Sequence, residues 1–333
     1  MKKTLLLLMG LTITLLMSSC SSCGRTTEPP ASKETVYVYT FESPAAASPD
    51  DSKKLIEKFL GTSNVGDLYK SDENTVYYVS KDDVSETFEH DLNNGNITYN
   101  KSMKKYMGDF VPQLPSREEA IKMAEEFLNK NALQPGNMGE LRLAHFGGLR
   151  ASSVIDGKKA GPVIDELVAL TYGRTIDNMP VMGPGSKIVV NIGDKGEVMG
   201  LIRRWRELSA GSKKQVQPEE MISQREAEEM ARRQIMSEYG EKTPYQIIGS
   251  SKAYYDNNGK ILQPVYIFET TINIPSREQN IKPINYLCVI PMLKNSPEPL
   301  NLTAIDPRAK EAIKSIKQGE VVPDQNRDKK IDE

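Results

Sequence analysis

Three helix-start signatures, spread along the 333 residues, constrain most strongly what this chain can fold into. In each of them a serine is followed three residues later by an acid, and apolar residues then recur at helical spacing. Such a capping box fixes the first turn, because the hydroxyl accepts a bond from the third backbone N–H while the acid accepts one from the serine N–H. The signatures begin at Ser48, Ser116 and Ser223, and they predict helices over residues 48–60, 116–130 and 223–238.

The residues that follow these helices predict how each one ends. Gly61 and Gly240 lie just after the first and third apolar patterns, where a glycine can close a helix in the left-handed conformation. Asn131 is the corresponding candidate after the second helix, because asparagine also visits this region.

Strand-like runs rich in Val, Ile, Thr and Tyr follow each helix. Short turns separate them, at Asn93-Asn-Gly95, Asp194-Lys-Gly196 and Asn257-Asn-Gly259. These residues tolerate positive φ angles, so the runs read as β-hairpins. We therefore expect an α+β fold of three tandem units, each with one amphipathic helix packed on a small antiparallel β-sheet.

A turn and its flanking strands carry a family resemblance. Tyr172-Gly-Arg-Thr-Ile-Asp-Asn-Met-Pro-Val-Met-Gly183 is followed by Lys187-Ile-Val-Val-Asn-Ile192 and Gly193-Asp-Lys-Gly-Glu-Val-Met-Gly200. Together they resemble the PepSY and thermolysin-propeptide (FTP-like) modules, which have a G-x-P-V-x-G turn and an Asp-x-Gly turn between strands. Asn178 stands where the first glycine is usual. The stretch from Tyr255 to Phe268 resembles the L-x-P-V-Y-x-F strand of related bacterial envelope proteins.

The resemblance implies a noncatalytic binding, inhibitory or chaperone-like module that works outside the cytoplasm. Our first hypothesis is a protein that binds or regulates a protein partner through exposed sheet edges or turns, as in strand addition. The alternative is a peptidase inhibitor or a propeptide-like folding chaperone. A second alternative is an envelope hydrolase, for instance a carbohydrate-active one, although no carboxylate pair stands out in the sequence.

The N-terminal residues have the pattern of a secretory signal. Two lysines precede an apolar run over residues 5–17, and Ser18 and Ser19 then lie directly before Cys20. This order resembles the lipobox of bacterial lipoproteins, with Met17 in place of the usual leucine. The resemblance implies cleavage before Cys20 and acylation of that cysteine, which would hold the protein on a membrane of the cell envelope, facing the periplasm or the exterior. An ordinary secretory peptide is the alternative.

The predicted organisation follows from these signals. A lipoprotein signal peptide and a Ser-, Thr- and Pro-rich flexible tether precede three helix-on-sheet units, and a short helix with a disordered tail ends the chain. The corresponding ranges are 1–19, 20–35, 36–112, 113–210, 216–295 and 296–333.

Composition excludes several classes of function. The 43 basic residues are balanced by 45 acidic ones, so we expect no nucleic-acid binder that acts through bulk positive charge. Two histidines, His90 and His145, and three cysteines leave little material for a metal site or a disulfide framework. Cys288 lies in an apolar strand and should be a buried, inert thiol. We therefore expect no catalytic residue, metal or cofactor.

One strand offers a candidate contact surface for the partner. Tryptophan and arginine are favoured at binding hot spots, and four such residues lie together at Arg203, Arg204, Trp205 and Arg206. The alternative is an alternating strand in which Trp205 is packed and the arginines are solvated.

Overall fold

The structure is a computed structural model of the whole chain. It describes residues 35–300 apart from short gaps at 44–47, 62–64, 66–68, 72–73, 107–109, 153, 156–157, 160–161, 275–281 and 299. Several sequence predictions lie outside the described residues: the signal peptide, the acylated Cys20, the tether up to residue 34, and the C-terminal helix and tail.

The three predicted helices are confirmed. In each of them the N-cap serine accepts a bond from the backbone N–H three residues later, and the acid at that position accepts one from the serine N–H. The helices are α1 (Pro49–Leu60), α2 (Arg117–Lys130) and α3 (Gln224–Tyr239).

The helix ends agree with the predictions only in part. Gly61 takes the left-handed conformation, with φ 66° and ψ 27°, whereas Gly240 has φ 92° and ψ 146°, outside that region. Asn131 has a φ of −96°, and the left-handed residue after α2 is instead Ala132, with φ 56°. The reason is local, because the Asn131 side-chain amide donates to the Phe127 carbonyl oxygen at 2.8 Å and satisfies it without a positive φ.

The strands fall where the sequence has its β-branched and aromatic runs. Apart from the small β7–β8 hairpin, the described strands form one 14-stranded sheet. In chain order they are β1 (Tyr37–Thr40), β2 (Tyr69–Ser71), β3 (Thr75–Val79), β4 (Thr87–Asp91), β5 (Ile97–Asn100), β6 (Leu141–Ala151), β7 (Val154–Ile155), β8 (Lys158–Lys159), β9 (Ile164–Ile176), β10 (Met179–Met182), β11 (Lys187–Ile192), β12 (Val198–Arg204), β13 (Lys214–Gln215), β14 (Tyr245–Tyr255), β15 (Ile261–Ile272) and β16 (Ile284–Pro291).

The predicted α+β fold of tandem helix-on-small-sheet units is wrong. The strands follow the order β13-β1-β15-β14-β10-β9-β11-β12-β5-β4-β3-β2, with β16 paired to β15 and β6 paired to β9. Two pairings merge the expected small sheets: β12 pairs antiparallel with β5, and β10 pairs parallel with β14. The physical reason is that an exposed strand edge carries unpaired N–H and C=O groups, which these pairings satisfy.

Two of the three helices, α1 and α2, share one core. Phe59 of α1 contacts Phe127 of α2 with ring centroids 5.7 Å apart, and it contacts Phe88 of β4 at 5.6 Å. One buried cluster therefore includes residues of α1, α2 and the strands β3, β4, β5, β9, β11 and β12. Helix α3 buries Ala231 and Ile235 in a second cluster, against β15 and β16.

A buried ion pair ties the end of β12 to the turn between β14 and β15. The Asp256 side chain is 1% exposed and accepts bonds from the Arg206 guanidinium at 3.0 Å and the Ser186 hydroxyl at 2.7 Å. The Asn258 N–H donates to the same carboxylate at 2.9 Å. The Arg206 guanidinium also lies 4.1 Å above the Phe41 ring. Every charge in this junction therefore has a partner.

We predict that Asp256→Asn lowers the free energy of unfolding by about 3 kcal/mol, because it leaves the Arg206 charge buried without a counter-ion. Urea denaturation followed by circular dichroism measures this change. Asp165→Asn is the matched control, since its ion pair with Arg150 is well exposed, and it should cost less than about 1 kcal/mol. Equal losses in the two variants would contradict the prediction.

Candidate functional site

The four predicted contact residues lie at the end of β12 and directly after it, and they point in different directions. Arg203 points to the helix side, where its Nε donates to the Leu133 carbonyl at 2.9 Å. Trp205 is 2% exposed and belongs to the core, with the Arg174 guanidinium 4.9 Å from its ring centroid. Arg206 is held by Asp256.

Only Arg204 of the four points to the side of the sheet away from the core. It pairs with Lys187, whereas Arg203 pairs with the fully buried Ile188. The packed alternative thus describes Trp205, but Arg203 and Arg206 are engaged by the protein instead of being freely solvated. Of the four predicted contact residues, Arg204 is therefore the one available to contact a partner.

The face that Arg204 belongs to crosses seven neighbouring strands. Its central row is given by the strand register, because directly paired residues of antiparallel strands share a face. None of its members belongs to a hydrophobic core cluster of the described residues, and each is half-buried or exposed. The row runs through His145, Thr171, Val189, Ile202, Thr98, Glu89 and Tyr77. We call the side of the sheet marked by this row the open face.

The opposite side of the same strands holds the core. Residues next to the central row, such as Val190, Leu201 and Phe88, are at most 1% exposed and pack with α1 and α2. On the open face, by contrast, Tyr77 and Val79 are 38% and 44% exposed. An antiparallel sheet with one such face is available for a partner on that side.

Three cations lie together at one end of the open face. Arg142 of β6 pairs with Gly173 of β9, Gly173 pairs with Lys187 of β11, and Lys187 pairs with Arg204 of β12. We call these four residues the basic row. Neither Lys187 nor Arg204 makes an ion pair with any carboxylate of the described residues.

The electrostatics of the basic row are unfavourable within the chain itself. Burial lowers the pKa of Lys187, and the neighbouring Arg204 charge lowers it further. Asp256 acts in the other direction, but its carboxylate already accepts bonds from Arg206 and Ser186. Like charges directly opposite each other on neighbouring strands destabilise a sheet. A negative group from outside would relieve this repulsion.

A separate pocket of about 490 Å³ lies beside β1 and β13. Val38 and Leu293 contribute apolar surface to it, and Glu219, Glu220 and Lys294 contribute charge. The Lys294 amine donates to the Glu219 carbonyl oxygen at 2.8 Å. The volume is within the range of small-molecule sites.

Cys288 and His90 are buried inside the protein, whereas His145 is on the surface. Cys288 is fully buried, and burial raises the pKa of its thiol to about 11, so little thiolate forms at neutral pH. The His90 Nδ1 lies 2.8 Å from the Ser52 hydroxyl inside the protein, whereas His145 is exposed on β6.

The described part of the chain has no candidate metal site and no candidate membrane span. No three His, Cys, Asp or Glu side chains there are grouped so that they could hold a metal ion. Within the same residues, no helix has the length and apolar character needed to cross a lipid bilayer.

Comparison with known proteins identifies no family. No family model matches the chain, and neither does any curated protein. Among solved structures, the chain is similar to an uncharacterized protein from Eubacterium rectale, at 10% identity and a TM-score of 0.45, over 79% of this chain and 84% of that one. It is also similar to the C-terminal domain of YpeB from Bacillus megaterium, at 13% identity and a TM-score of 0.34, over 75% and 94%. Both scores are below 0.5, so neither likeness carries an argument about function.

Two of the three cations in the basic row, Arg142 and Lys187, were not predicted from the sequence. Arg142 and Lys187 stand near the starts of two separate strands, 45 positions apart in the numbering, and only the long-range register brings them onto the same row as Arg204. The one local signal is alternation, since Lys187 precedes the inward-facing Ile188 and Arg142 precedes Leu143.

We predict that Arg204→Gln raises the pKa of Lys187 toward its ordinary value, because it removes a like charge. Reductive ¹³C-methylation followed by an NMR pH titration measures this pKa, with Lys187→Arg used to assign the signal. Arg225→Gln is the control, since Arg225 is an exposed cation on α3 and should leave the Lys187 pKa unchanged. If the Lys187 pKa in Arg204→Gln is unchanged or lower than in the parent chain, the predicted repulsion by Arg204 is wrong.

Proposed function

We propose that this chain is a noncatalytic, lipid-anchored protein of the cell envelope that binds a protein partner on its open face. The observation that carries the proposal is the open face itself: a row across seven strands whose residues are excluded from the core clusters of the described residues. At a strand spacing of about 4.8 Å the row is about 29 Å wide, close to the diameter of a small domain.

The chemistry of the open face suits a protein surface. Val189, Ile202 and Tyr77 supply apolar area, while Thr171 and Thr98 supply hydroxyls between them. Protein interfaces combine apolar contacts with scattered hydrogen-bonding groups and water. A metabolite, by contrast, is usually enclosed in a cleft.

Strand β6 adds a second means of contact at the edge of this face. Among the described strands it pairs only with β9, so one side of its 11-residue backbone is unpaired. An extended segment of a partner can add to such an edge through main-chain hydrogen bonds. Leu149 of β6 is 47% exposed and available for the same contact.

The envelope location is supported by the sequence. The apolar run that ends at Met17, followed by two serines and Cys20, resembles a lipobox. The resemblance of residues 172–200 to PepSY and thermolysin-propeptide modules supports a binding role, and it keeps a peptidase inhibitor or folding chaperone as the alternative form of that role.

One observation favours a second candidate function. The pocket beside β1 and β13 contains Glu219 and Glu220, which would be the starting point for an envelope hydrolase. The Glu220 carboxylate, however, accepts the Gln217 backbone N–H at 2.9 Å as a helix cap. Because the Glu220 carboxylate is engaged, the pocket is better suited to holding a small ligand than to acid–base chemistry. Binding of a small ligand is therefore the second candidate function, and hydrolysis is less well supported.

We predict that Cys20→Ala moves the protein from the membrane fraction to the soluble fraction of cells that express the full chain, because the acyl chains are its membrane anchor. Immunoblotting of separated fractions measures the change. Cys23→Ala, three residues further on, is the control and should leave the protein in the membrane fraction. Membrane association that survives Cys20→Ala contradicts the anchor.

We predict that a photo-crosslinking amino acid at Thr98 or Ile202 captures the same partner, because both positions lie on the central row of the open face. The control position is Glu126 of α2, whose side chain is 66% exposed on the helical side of the sheet. Mass spectrometry of the adducts from living cells identifies what is captured. Adducts that are absent from the open face, or equally abundant from Glu126, rule out the open face as the interface.

A further inference from the structure

Among the described residues, several cations on or beside this sheet are neutralised by a carboxylate of the chain, but those of the basic row are not. Arg150, Arg174 and Lys213 each have a carboxylate partner within 2.8 Å, and Arg206 has one at 3.0 Å. Lys187 and Arg204 have no such partner among the described residues. The two like charges nevertheless occupy directly paired positions of β11 and β12, an arrangement that costs stability.

Three acids that act on the row or are near it in sequence are already engaged. Asp256 accepts bonds from Arg206, Ser186 and the Asn258 N–H. Glu207 accepts the Gly136 N–H at 3.0 Å, and Glu140 pairs with Arg174. These carboxylates are therefore not free to neutralise the row, and its positive charge is open to an anion from outside the chain.

Gly173 leaves space within the row. It lies between Arg142 and Lys187, and a methyl group placed there would meet only the Ala144 side chain, at 3.5 Å. Across four strands at about 4.8 Å each, the row is about 14 Å long. The row is therefore longer than a single carboxylate or phosphate group. Because Gly173 has no side chain, there is open space on the sheet surface between Arg142 and Lys187.

The neighbouring central row indicates what kind of anion fits. Directly beside the basic row lie Thr171, Val189 and Ile202, which combine hydroxyl and aliphatic surface. A ligand that covers both rows needs negative groups on one side and apolar or hydrogen-bonding groups next to them. An extended peptide with acidic side chains at alternate positions has this composition, since its side chains alternate at a period of two.

We propose that the basic row binds an acidic, extended segment of the protein partner. Lys187 and Arg204 pair with one carboxylate, and Arg142 pairs with a second across the gap at Gly173. This inference rests on the proposed function, because it names the partner chemistry that the open face recognises.

Fluorescence anisotropy with two labelled octapeptides tests the proposal. One peptide alternates Glu and Val, and the other has Gln in place of every Glu. We expect the purified protein to bind the Glu peptide about tenfold more tightly than the Gln peptide, because charge-assisted contacts are lost in the latter. The difference should shrink as salt is raised.

Matched double variants locate the binding. Lys187→Gln with Arg204→Gln should sharply reduce the preference for the Glu peptide and leave only the part that Arg142 contributes. Lys214→Gln with Arg225→Gln removes two other cations, on β13 and α3, and should preserve it. Thermal melts check folding, and the first double variant should be at least as stable as the parent chain because a like-charge repulsion is removed.

Several results would overturn the inference. Equal binding of the two peptides, no binding of the Glu peptide at millimolar concentration, or an unchanged preference in the Lys187/Arg204 double variant would each do so. Full displacement of the Glu peptide by low-millimolar inorganic phosphate would assign the row to small anions instead of an acidic segment.

The crosslinking experiment separates failure of this inference from failure of the proposed function. If Thr98 and Ile202 capture a partner equally well with and without Lys187 and Arg204, the open face is the interface but the row does not recognise acids. If the Glu peptide binds as expected while the open face captures nothing, the row binds acidic peptides but the proposed interface is wrong.

Discussion

The rest of the structure depends on the need to pair the backbone groups at strand edges. Each helix and its hairpins could have formed a small sheet, but such a sheet has two edges with unsatisfied N–H and C=O groups. The β12–β5 and β10–β14 pairings satisfy part of these edges and merge the strands into one sheet. The open face is a consequence, because only the merged sheet has a central row that crosses seven strands.

The end of β12 and the two residues after it then divide structural from binding roles. Arg203, Trp205 and Arg206 are used inside the protein, for a carbonyl, the core and a buried carboxylate, whereas Arg204 points outward. A cluster of favoured hot-spot residues in the sequence is therefore not a surface cluster. Arg204 has its cationic neighbours on other strands. The row is basic because the strand register places Arg142, Lys187 and Arg204 side by side on one face.

The local features of the fold could be predicted from the sequence and the long-range ones could not. Capping boxes and the Gly61 helix end involve residues within a few positions, so their chemistry is visible in the chain. The merger of the sheets and the placement of Arg142, Lys187 and Arg204 on one row depend on pairings between distant segments. Turn and strand signals do not encode those partners, because many strands share the same β-branched composition.

The placement of β1 has a mechanical consequence. This strand of four residues lies between β13 and β15, and the Tyr39 hydroxyl also bonds to the Asp177 carboxylate. The predicted tether of residues 20–35 joins the folded body directly before it. If Cys20 is held in a membrane, any force between membrane and bound partner enters the body at β1. The hydrogen bonds of β1 to its two neighbours, and the tyrosine side-chain bond, would bear that load before the open face was disturbed.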